Sequence, residues 1–160
     1  METANEVATQ IVTKDQLLEH WQGHRRLTRR IIEAIPEDKL FSYSIGSMRP
    51  FGALALEMIG MAIPGMPGLV DGSWGDLEKE KATTKDELLA LWDKATDVIN
   101  EYWPKITAER FQETVVAFGQ WENTVFTTLM YFIDNEIHHR GQGYVYLRSL
   151  NIAPVPFWER

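Results

Sequence analysis

A chain of 160 residues fits one domain, and at this size roughly 70% of the surface exposed by the unfolded chain can be buried in a single core. With 44% apolar, 24% charged and 11% aromatic residues, the composition excludes a disordered chain. The absence of cysteine excludes a disulfide scaffold, a thiolate metal site and a cysteine nucleophile, and fits a cytoplasmic protein.

The net charge of −7 opposes a general nucleic-acid binder, which gathers positive charge. Residues 1–12 are expected to form a flexible arm; METANEVATQ lacks the basic start and apolar run of a secretory signal. Helical periodicity then begins. Thr13 and Gln16 have the spacing of a capping box, and Leu17, Trp21, His24, Thr28, Ile31 and Ile35 step by three or four along one face, up to the stop at Pro36. Arg25, Arg26, Arg29 and Arg30 cover another side of this helix and read first as a solvated face, with Glu33 set to pair with Arg29. A subunit contact ranks second and a nucleic-acid patch last.

A second helix is predicted from Met48 to Ile63, with Pro50 in its first turn and Phe51, Leu54, Met58 and Met61 on one face. Pro64-Gly65 and Pro67-Gly68 are expected to end it and to keep the apolar run below the ~20 residues of a membrane span. No membrane contact is expected. A loop rich in glycine and acidic residues should follow, from Met66 to Thr83, around Trp74. The third helix opens on a second capping box, Thr84 and Glu87, and closes near Pro104. Residues Lys105–Gly119 form a connector in which Glu113–Phe118 can be extended. The fourth helix is predicted from Trp121 to Leu150. Its face Trp121, Val125, Thr128, Phe132, Asn135, His139, Gln142, Tyr146 turns polar midway. The elements predict an all-α four-helix bundle around one core.

Glu57 is the only charge between Arg49 and Asp71. It admits three readings: a wet fourth side of its helix, an ion pair with Arg140, Arg49 or a histidine, or metal ligation, since an unpaired buried carboxylate is costly. In the last helix the i, i+4 spacing sets Asn135 over His139 and Asp134 over His138. Two donors one turn apart can share a cation, although each pair holds one histidine only, and His138-His139 alone reads as a hydrogen-bonded structural pair before it reads as a metal site. Arg140 can hold an anionic substrate or the Glu57 carboxylate. Gly141 and Gly143 cost about 1 kcal/mol each in a helix and suggest a close approach by a neighbour. His24, with His20 one turn before it, reads as a core or rim histidine ahead of a ligand.

His138-His-Arg-Gly-Gln142, Tyr146–Leu150 behind it, the Pro/Phe/Trp tail and Met48–Gly52 together resemble the DinB/YfiT-like family. These small four-helix bundles with long crossover connections often dimerise and are described as metal-dependent hydrolases or as transferases acting with low-molecular-weight thiols. The resemblance implies a divalent metal, zinc or nickel, bound by three histidines, one from the second helix and two from the last. Those positions are here Glu57, Asn135 and His139, so one histidine of three is kept. His138, Arg140 and His24 would support the site or touch substrate, and Thr124, Thr127 or Thr128 would line the same cavity. A homodimer with a small-molecule ligand is the implied assembly. The alternative is a metal-free binding or stress-response protein in which Glu57 is neutralised by His139 or Arg140.

Overall fold

The computed structural model describes residues 11–160, so the expected N-terminal arm lies outside the described residues apart from Ile11 and Val12, which are exposed. Both predicted capping boxes are formed. Gln16 N donates to Thr13 Oγ1 at 3.1 Å while Thr13 N donates to Gln16 Oε1 at 2.8 Å, starting α1 (Lys14–Ala34). Thr84 and Glu87 do the same for α4 (Lys85–Tyr102). A short helix, α2 (Glu37–Leu40), leads from α1 towards α3 (Phe51–Asp71), and α5 (Val125–Ser149) closes the series. α3 packs on α4 and α5, and α1 packs on α5 and α4. Trp21, Ile31, Met58, Trp92, Trp103 and Leu129 are among the buried core side chains.

α3 starts at Phe51 with Pro50 as its N-cap, slightly later than the expected Met48, and two other element boundaries differ from the sequence expectation by a full helical turn or more. α3 does not end at Pro64; it continues through Pro64 and Pro67 to Asp71. A proline inside a helix costs about 3 kcal/mol. The extra turns bury Met66 and Leu69 completely, and burying such a side chain contributes about 1.5–3 kcal/mol. The carbonyls at the helix end are also met: Arg110 donates to Leu69 O and Gly68 O at 3.0 and 3.3 Å, and the amide of Gly72, at φ +86°, donates to Gly68 O. The glycines in this stretch are therefore helical contact points rather than loop residues. A Cβ on Gly60 would lie 2.3 Å from Leu77 O, and one on Gly68 would lie 2.2 Å from the Trp74 ring. Both make room for the segment after α3 to fold back along it.

The second difference lies before α5. Trp121–Thr124 is a strand, β2, paired antiparallel with β1 (Thr114–Ala117), which falls within the predicted extended segment. Trp121 fits a helical stepping pattern and a strand equally well, and the N-cap decides between them. Thr124 Oγ1 accepts from Thr127 N, so the helix starts at Val125. The hairpin turn holds Phe118 and Gly119 at positive φ.

α3 is long and apolar enough to cross a membrane by length and composition. Its packing against α4 and α5 accounts for that character. In α5, Gly143 is a close-approach residue, since an added Cβ would come within 2.6 Å of Phe51 and 2.7 Å of Ile31, whereas nothing lies within 4 Å of one on Gly141. Urea unfolding should therefore show Gly143→Ala less stable than the parent by about 1–3 kcal/mol through overpacking, and Gly141→Ala more stable by about 0.5–1 kcal/mol.

Candidate functional site

Glu57 comes from the middle of α3 and points at α5. Its Oε1 accepts from His139 Nε2 at 3.0 Å and from Asn135 Nδ2 at 3.1 Å, so the three positions singled out in the sequence meet at one carboxylate oxygen. Its Oε2 is held by Arg49. The backbone just before α3 is docked on α5: Tyr146 Oη donates to Arg49 O at 2.7 Å, and Gln142 Nε2 approaches Met48 Sδ at 3.6 Å. Asn135, His139, Gln142 and Tyr146 thus form one helical stripe facing α3. Burial alone would push the Glu57 carboxyl up, but hydrogen bonds from Asn135, Arg49 and His139 outweigh it and hold the group below the usual carboxylate range.

Gln142 Oε1 lies 2.7 Å from His139 Nδ1. The Gln142 amide thus meets one ring nitrogen and fixes the ring with Nε2 towards Glu57. Asn135 Oδ1 is buried without a hydrogen-bond partner among the described residues. A zinc site takes four ligands at about 2.0–2.3 Å, from thiolate, imidazole or carboxylate. Here the strong donors are one carboxylate and one imidazole; Asn135 offers a neutral amide and turns its NH2 inward. No three His, Cys, Asp or Glu side chains gather for metal binding among the described residues. The Arg49 guanidinium already bonds the same carboxylate and repels an incoming cation. These side chains do not fit the three-histidine zinc or nickel site implied by the resemblance.

Beside this cluster opens a cleft of about 850 Å³. Arg49, Glu57, Glu78, Glu80 and Lys81 are its charged lining, Leu56, Met61, Phe118 and Phe132 give apolar walls, and Thr127 and Thr128 line it as expected. Thr124 instead caps α5. Phe118 stacks among Trp74, Trp121 and Phe132 at ring-centroid distances of 4.9, 6.3 and 6.4 Å. The sequence reading missed these aromatic walls because the hairpin carrying Phe118 and Trp121 was assigned to a connector and a helix start.

The remaining sequence candidates go elsewhere. His138 is exposed, its ring beside that of His139. His24 and Arg140 do not reach Glu57: Arg140 Nη1 donates to His24 Nδ1 at 2.7 Å on the α1 side of α5. Arg25 overturns the expectation of a solvated arginine face. It is 1% exposed, its guanidinium 3.4 Å from Glu136 Oε2 and stacked 4.1 Å from the Trp92 ring centroid. Arg29 is half-exposed and pairs with Glu33 as expected, and also with Asp93. Glu136, 2% exposed, also accepts from Trp21 Nε1 at 3.1 Å and Thr28 Oγ1 at 2.9 Å. Burial pushes the Glu136 carboxyl up despite Arg25.

His24 must stay neutral to accept from Arg140. Burial, then the Arg140 charge, depresses its pKa from 6.5 to about 3. Between these values the unfolded chain binds a proton that the folded chain refuses, so the stability that His24 lends is present above pH 6.5 and lost as pH falls towards 3. Urea unfolding across that range should show a shallower acid loss in His24→Gln, which keeps an acceptor for Arg140 and removes the titration.

Comparison with known proteins agrees with this architecture. Uncharacterized protein YjoA of Bacillus subtilis is 22% identical over 150 residues, spanning 91% of this chain and 96% of its own. The crystal structure of that DinB-like protein superposes with a TM-score of 0.73 at 21% identity, covering 91% of this chain and 98% of the other. A DinB-like protein from Bacillus cereus gives a TM-score of 0.66 at 16% identity, with 89% and 95% covered. At these identities the likeness establishes the fold. The DinB family model matches residues 70–159, more than half of the sequence, and the chain belongs to the DinB family.

Proposed function

We propose that this protein is a metal-free, small-molecule-binding member of the family, with the cleft between α3, α5 and the β1–β2 hairpin as its ligand site. One observation carries the reading: both oxygens of Glu57 are taken by the protein's own donors, Arg49 on one and His139 with Asn135 on the other. The carboxylate that would ligate a metal is thereby compensated without one. The cleft suits a ligand with an apolar body, packed against Leu56, Phe118 and Phe132, and a polar head that exchanges hydrogen bonds with Arg49, Glu57 and Thr127. The reading assigns binding and no reaction.

Elemental analysis of untagged protein, incubated with zinc, nickel or manganese and then desalted, should find far less than one ion per chain, with Glu57→Gln unchanged from the parent. One tightly held ion per chain, lost in His139→Ala and Glu57→Ala, would replace this reading with the metal-dependent hydrolase or thiol-transferase one. In parallel, an uncharged solvatochromic naphthalene probe should brighten on the parent protein. Leu56→Arg, which sets a charge in the apolar wall, should abolish that signal while leaving the circular dichroism unchanged.

A further inference from the structure

His139 and Arg140 are consecutive, and one residue of α-helix turns a side chain by about 100°. His139 therefore looks into the cleft while Arg140 looks away from it, towards α1 and the C-terminal segment after α5. That segment returns to α1: Arg30 of α1 donates to Glu159 O at 3.2 Å, and the Arg160 side chain lies close against Gly23. Between the segment and α5 is a second pocket, of about 500 Å³, walled by Ile137, Val155, Phe157 and Trp158.

The polar groups in this pocket are incompletely used. Arg140 is 6% exposed and spends Nη1 alone, on His24 Nδ1 and His24 O. Its Nε and Nη2 hydrogen-bond to nothing among the described residues, and no described carboxylate lies within ion-pair distance. Glu136, on the same side of α5, is occupied by Arg25, Thr28 and Trp21, and Glu159 is engaged by Arg30. Glu136 attracts the Arg140 guanidinium through space without meeting it in an ion pair, so the unbonded edge of Arg140, which lines the pocket, is left for an incoming anion. One turn on, Tyr144 is nine-tenths buried and its hydroxyl has no partner among the described residues. The Arg148 guanidinium lies 5.7 Å from the Tyr144 ring centroid and lines the same pocket. In a chain of net charge −7, this is a locally positive recess with two unspent donors and apolar walls.

We propose that this pocket binds a small-molecule carboxylate, with its oxygens on the free edge of the Arg140 guanidinium and on the Tyr144 hydroxyl and its apolar body against Ile137 and Trp158. A planar fork of N–H groups matches a carboxylate in two parallel hydrogen bonds. The apolar walls favour an organic acid over a bare inorganic anion, which would leave them wet. The site is separate from the cleft at Glu57 and does not depend on what that cleft holds.

The test is a titration of the isotope-labelled full chain, followed at the Trp158 indole N–H resonance, which is assigned by its loss in Trp158→Phe. Benzoate should shift that resonance saturably, whereas benzyl alcohol, of similar shape without the charge, should not, and inorganic phosphate should bind more weakly. Tyr144→Phe should weaken benzoate binding about tenfold, as expected for one hydrogen bond to a charged group, and Arg140→Gln should abolish it. An unresponsive Trp158, an equal response to the alcohol, phosphate binding as tight as benzoate, or unchanged affinity in Tyr144→Phe would each overturn the assignment. If Arg140→Gln fails to fold, Tyr144→Phe, which loses one oxygen atom, decides the matter.

Discussion

Within less than two turns α5 carries Asn135, Glu136, His139 and Arg140 at or inside the packed surface of the bundle, and no neighbouring helix can dock there without answering them. Each neighbour supplies a different answer. α3 brings Glu57 to Asn135 and His139. α1 brings Trp21, Arg25 and Thr28 to Glu136, and His24 to Arg140. Apolar contacts tolerate sliding, whereas these hydrogen bonds fix how far α1 and α3 are shifted and rotated against α5, since a displaced helix would leave a buried polar group unmet. The polar stripe therefore sets register in a core that is otherwise largely apolar.

The Arg25–Glu136 pair shows what this arrangement demands. Both groups are almost fully removed from water, and desolvation outweighs their mutual attraction: the Arg25 pKa is lowered and that of Glu136 raised, each by burial. The structure surrounds the pair with further partners. Arg25 donates to Thr96 Oγ1 and Trp92 O at 2.9 Å each and stacks on the Trp92 ring, a favourable place for a desolvated guanidinium. The pair ties α1 to α5 while Thr96 and Trp92 tie the same arginine to α4, so one side chain links three helices.

Much of this was legible in the sequence. The capping boxes at Thr13 and Thr84 marked two helix starts because their signal is local: a hydroxyl and a carboxamide or carboxylate three residues apart have few other uses. The convergence of Glu57, Asn135 and His139 was also readable, since an isolated charge in an apolar run and a core stripe that turns polar both ask for a partner. What periodicity could not reveal is which way a helix faces. Arg25 sits among arginines that are partly or largely exposed, and only its place opposite Glu136 makes it interior. Arg140, next to His139 in sequence, is expected at the Glu57 site, yet the helix turns it to the other side, onto His24. The passage of α3 through two prolines and the pairing of Trp121–Thr124 as a second strand depend on long-range packing, by Arg110 at the helix end and by Trp74 and Phe132 around Phe118, which no local pattern announces.

The back-to-back placement of His139 and Arg140 also restricts how this part of the chain can vary in length. Losing or gaining one residue between Asn135 and Tyr144 would swing everything beyond it by about 100°, carrying each of the two faces into its neighbour's place and presenting charged groups to apolar partners. The segment can exchange side chains at fixed spacing, but it cannot absorb insertions or deletions. Changes of length are tolerated far better in the connections between helices.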